Sequence, residues 1–101
     1  MKAYKHLVMF AIAKRHIVSV WDGEAYQVKR SRDYRAICAA VESVEEAELT
    51  IRDALGAKVC FVTVQPFGVE DDETVSNYEV CPFMNEWEAL QRTHASSLLF
   101  A

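Results

Sequence analysis

Cysteines, histidines and a run of acids are the residues in this 101-residue chain whose types could do chemistry. Cys38, Cys60 and Cys81 carry thiols that can act as nucleophiles or ligate soft metals, but they form no C-x-x-C pair. No export signal is read ahead of them, so an odd set of thiols points to a reduced, cytoplasmic protein. His6, His16 and His94 are far apart in sequence. Pairing Cys60 or Cys81 with His94 as nucleophile and base uses no spacing signal, and no carboxylate is placed to orient the ring. Glu70-Asp71-Asp72-Glu73 gathers acids, yet the calcium-loop spacing is absent and adjacent side chains of an extended chain point apart. A solvated loop or a partner contact is the expectation there. No catalytic residue, cofactor or metal is assigned, and a non-enzymatic protein is expected.

Lys29, Arg30, Arg32 and Arg35 form the densest basic patch, where an anion or an acidic partner could sit. The charge is uneven along the chain. Residues 1–35 hold eight Lys and Arg against three acids, and residues 36–101 hold three against twelve. Such polarity can steer partners. Direct nucleic-acid binding is not expected, because phosphate-backbone affinity draws on clustered cations and these are the minority here. An acidic surface that imitates nucleic acid fits the balance better.

These residues need elements to hold them. Apolar content of 51% and charged content of 26% suit one globular domain covering residues 1–101. Tyr4, Leu7, Val8 and Ala11 recur at helical spacing and predict a helix over residues 3–14. Trp21-Asp22-Gly23 then turns a hairpin between His16 and Lys29. Parity favours a three-residue turn pairing Val20 with Glu24, Val18 with Tyr26 and His16 with Val28. Trp21 falls at the turn tip, folded over a helix or, with Asp22, exposed as a partner anchor. Ser31 or Asp33 can cap a second helix with a Tyr34, Ile37, Cys38 and Val41 stripe.

A capping-box pattern at Ser43 invites further helix, but Glu48 to Arg52 alternates and Lys58 to Val64 is β-rich. A second hairpin is expected, with Gly56 at positive φ, pairing Ile51 with Val59 and Leu49 with Phe61. That register turns Val62 and Val64 to the opposite face, which then also needs a cover. Pro82 or Asn85 starts a last helix with Phe83, Trp87, Leu90 and His94 at helical intervals. The fold predicted is α+β: a four-stranded antiparallel sheet from two β-hairpins with an intervening helix, flanked by N- and C-terminal helices. No segment has the ~20 apolar residues of a membrane span.

The segments VSVWDGEAYQVKRSRDYRAICAAVESVEEAELTIRD, FGVEDDETV and PFMNEWE, within residues 7–88, resemble small accessory proteins of tailed phages and prophages of Gram-negative bacteria. The resemblance implies a non-catalytic protein that binds and inhibits a host complex. Some phage proteins of this size act against CRISPR–Cas components by occupying nucleic-acid sites with acidic surface. On that reading Glu70, Asp71, Asp72 and Glu73 mimic phosphates, and Trp21 with Asp22 adds an anchor. Two alternatives stay open: a homo-oligomeric module, with a homodimer its simplest form, and a small anion- or nucleic-acid-binding domain using the basic patch.

Overall fold

The computed structural model describes residues 2–67, 75–76 and 78–100, with backbone alone for 76 and 93–100. Its elements are α1 (Ala3–Ala13), β1 (Ile17–Trp21), β2 (Tyr26–Ser31), α2 (Tyr34–Glu42), β3 (Ala47–Arg52), β4 (Lys58–Val64), β5 (Val75–Ser76) and α3 (Pro82–Phe100). The strands lie in the order β2-β1-β3-β4-β5, every neighbour antiparallel. The predicted class holds: two hairpins side by side, a helix between them and helices at both ends. The two-residue β5 extends the four main strands at the β4 edge.

Local chemistry explains the helices. Tyr4, Leu7, Val8 and Ala11 form the buried stripe of α1. The helix stops at Lys14 without a glycine: Arg15 takes φ 63°, its N–H donates to the Ile12 carbonyl and that of His16 to the Ala11 carbonyl. That is the bonding pattern of a Schellman cap, built on a residue with a Cβ. Asp33 caps α2, its carboxylate accepting from the backbone N–H groups of Arg35 and Ala36 at 3.0 and 3.3 Å. Pro82 opens α3, where its missing N–H costs nothing.

One face of the sheet makes the core. Val18 and Val20 of β1, Ala47, Leu49 and Ile51 of β3, and Cys60, Val62 and Val64 of β4 are buried with Ile37 and Val41 of α2 and Phe83, Met84 and Trp87 of α3. Fully burying such an aliphatic side chain contributes about 2 kcal/mol. α1 and α3 are joined by the Phe10 and Phe83 rings, 5.0 Å apart, and by a 2.6 Å ion pair between Lys14 and Glu86. Tyr4 donates a hydrogen bond to the Glu42 carboxylate, tying α1 to α2.

Both hairpin registers differ from the predicted ones. In the first, Trp21 pairs with Tyr26, Val20 with Val28 and Val18 with Ser31, and the corner is Asp22 to Ala25. Two bulges in β2 take up the extra residues, one with Arg30 at φ 50° and its N–H donated to Ser19 Oγ at 2.9 Å. In the second hairpin the corner is as predicted, with Gly56 at φ 92° and Asp53 bonded to Ala57. A bulge then shifts the ladder, so Ile51 faces Cys60 and Leu49 faces Val62. Val62 and Val64 therefore join the helix-covered core, and Phe61 turns outward. Leu90, predicted to pack inward, is 51% exposed.

Candidate partner-binding face

The shift of register decides what the second face of the sheet carries. Side chains alternate along each strand, so Ile17, Ser19 and Trp21 of β1, Glu48, Thr50 and Arg52 of β3, and Phe61 and Thr63 of β4 share the face opposite the helices. Tyr26 of β2 stands beside Trp21 on it. No described helix packs there. Trp21 lies at the end of β1, not over a helix, and its ring meets Tyr26 edge-on at 4.9 Å. The Lys29 ammonium lies 5.2 Å from the Tyr26 ring and that of Lys58 5.8 Å from the Phe61 ring. The result is an aromatic surface with cations resting on two of its rings, while the Ser19 and Thr63 side chains on this side of the sheet are buried.

The predicted site residues are sorted by this geometry. Asp22 is committed to the turn: its Oδ1 accepts the N–H groups of Glu24 and Ala25 at 2.7 and 2.8 Å, and its Oδ2 the Gln27 side-chain amide at 2.7 Å. The backbone N–H of Ala25, then that of Glu24, hold its carboxyl below the ordinary range. Lys29 and Arg30 lie on β2, and Arg32 and Arg35 flank the start of α2. All four are exposed. The Arg32 guanidinium donates to the Arg15 carbonyl at 3.0 Å, so it also braces the end of α1. Glu70, Asp71, Asp72 and Glu73 lie outside the described residues. So does the side chain of His94.

Comparison of the chain with protein-family models, curated proteins and solved structures finds no match in any of them. The site therefore stands on its own chemistry. Among the described residues no three His, Cys, Asp or Glu gather as metal ligands, and no helix is long and apolar enough to cross a membrane. His16 is more than a strand-edge residue: it packs on Phe83 at 5.6 Å, and its Nδ1 is buried without a partner. Burial, aided by the nearby Lys14 ammonium and opposed by Asp53, lowers its pKa. A shallow apolar groove of about 460 Å³ lies between α1 and the start of α2, lined by Met9, Ile12, Ala13 and Tyr34.

Tyr26 and Phe61 are the face residues that the sequence reading put in the core. The longer Asp22–Ala25 corner turns Tyr26 outward by pairing it with Trp21, and the bulge in β4, which carries no glycine, turns Phe61 outward.

Proposed function

We propose that this chain is a non-enzymatic interaction protein that binds a protein partner on the helix-free face of its sheet. The observation that carries the proposal is the Trp21–Tyr26 pair held on that face, joined by Phe61, while the helices seal the other side. Aromatic rings offer large contact area with little conformational freedom to lose, which is why they anchor interfaces. The cations at Lys29, Lys58 and Arg52 favour a partner whose contact surface is acidic at its rim. The setting suggested by the sequence resemblance is a phage accessory protein blocking a host complex, with the 70–73 acids as a second, charge-based contact.

The test compares capture from a bacterial lysate by the parent chain, a Trp21→Ser/Phe61→Ser chain and a Leu55→Ser control, with bound proteins quantified by mass spectrometry. Leu55 is 96% exposed at the corner between β3 and β4 and is not one of the aromatic residues of the proposed face. A protein retained by parent and control but lost from the double variant supports the proposal. Identical capture by all three overturns it.

A second copy of the chain is the alternative occupant. Glu48 and Arg52 flank Thr50 on the central strand, so a twofold axis at Thr50 would set each acid against the partner copy's arginine. Sedimentation decides: a monomer at high concentration removes this reading.

A further inference from the structure

The groove between α1 and α2 has an apolar floor and a basic border. Met9, one of its four lining residues, is 48% exposed. Three exposed arginines border it: Arg15 follows Ala13 by two residues, the Arg32 guanidinium is bonded to the Arg15 carbonyl, and Arg35 adjoins Tyr34. None of the three forms an ion pair among the described residues. The acids nearest to them are engaged. Asp33 accepts the N–H groups of Arg35 and Ala36, and Glu86 is paired with Lys14. The other end of α1 carries the opposite arrangement. Phe67 is 64% exposed there and shares a hollow with Gln65, Glu45 and Glu46. Neither glutamate forms an ion pair among the described residues. Lys2, at the N-terminus of α1, holds the ring at that end: its ammonium donates to the Pro66 carbonyl and lies 5.7 Å from the Phe67 ring. From Lys2 to Ile12 the helix rises about 15 Å, so a chain cannot seat its own Phe67 in its own groove.

We propose that the groove is occupied by a second copy of this chain, which seats its Phe67 between α1 and α2 and sets its Glu45 and Glu46 against the arginines. The ring supplies apolar area to the groove. The opposite charges decide which surface meets which, and they repeat the division of the sequence into a basic stretch over residues 1–35 and an acidic one over residues 36–101. Ring and groove are different surfaces, so the contact is heterologous: each copy offers both, and copies add head to tail into a closed ring or an open chain. The helix-free face of the sheet takes no part, which makes this contact independent of the function proposed above.

Sedimentation equilibrium of the purified chain at about 50 mM and about 500 mM salt tests it. At low salt the average mass should rise with concentration to at least twice the 11.5 kDa of one chain, and at high salt it should fall back toward that value. Met9→Glu spoils the groove and Phe67→Glu removes the ring, both at exposed positions. Each variant alone should stay at the mass of one chain. An equal mixture should give two-chain species and nothing larger, because one intact groove and one intact ring remain. A twofold contact through Thr50 would survive both substitutions. A parent chain of single-chain mass at low salt, assembly that persists in either variant, or a mixture that stays at single-chain mass overturns the proposal. The parent measurement needs no substitution.

Discussion

The Trp21 indole meets the Tyr26 ring edge-on, with planes at 72°, across the last pair of β1 with β2. The pair lies on the sheet face away from the helices, and Tyr26 is 50% exposed. Cross-strand aromatic pairs of this kind contribute about 0.5–1.5 kcal/mol. Tyr26→Ala should therefore lower stability by no more than about 1.5 kcal/mol in urea unfolding. It should weaken partner binding by about tenfold or more, as loss of an anchor does. A variant that unfolds outright would show that the pair is structural instead.

The left-handed Arg15 at the end of α1 is a position where glycine has no Cβ to strain. Its N–H and carbonyl contacts are backbone ones and survive substitution. Arg15→Gly should stabilise the fold by about 0.5–1 kcal/mol, read from the denaturation midpoint. A loss of stability would mean that the arginine side chain contributes more than its backbone strain removes.

The buried, unpartnered Nδ1 of His16 makes stability depend on pH. The folded pKa lies below the ordinary value of 6.5, so the unfolded chain binds a proton that the folded chain refuses. This contribution is fully present above about pH 6.5 and is lost as pH falls toward the folded pKa. Urea midpoints between about pH 5 and 7 should fall with pH in the parent and fall less in His16→Gln. Equal slopes would assign the pH dependence elsewhere.

Neighbouring residues of β4 test the bulged register. Val62 is fully buried opposite Leu49, and Phe61 is outward and half-buried. Val62→Thr should cost about 1–3 kcal/mol because it buries a hydroxyl. Phe61→Thr, on the solvent side, should cost less than Val62→Thr in the same guanidinium titration. The opposite ranking would restore the unbulged pairing.

Tyr4 is fully buried, and its hydroxyl reaches the Glu42 carboxylate, which Lys5 also approaches at 3.5 Å. The Tyr4 hydrogen bond is the main cause that lowers the Glu42 pKa, so its stabilisation is present above about pH 4.5 and lost on acidification. Tyr4→Phe should cost about 1 kcal/mol at neutral pH and flatten the acid limb of the stability curve. An unaltered limb would point to other carboxylates.

Much of this architecture is legible in the sequence because it follows from short-range pattern. The Tyr4, Leu7, Val8 and Ala11 stripe, the Asp33 cap and the Gly56 corner each act within a few residues and are found as predicted. Gly23 keeps its positive φ inside a longer corner, Asp22 to Ala25, that leaves Trp21 in β1. The bulges at β2 and β4 are set by twist and by hydrogen bonds such as Arg30 N–H to Ser19 Oγ, between residues 11 positions apart. None of the three is marked by a glycine. The four-residue corner turns Tyr26 outward and the β4 bulge turns Phe61 outward, so the identity of the outer face is the part that pattern alone misplaces.

The pairing of α1 with α3 has a bearing on biosynthesis. Phe10 and His16 emerge early, yet the ring that covers both is Phe83. A nascent chain that has reached only β4 can fold both hairpins but leaves that aromatic seam bare on the ribosome. It is then open to chaperones until the last helix arrives.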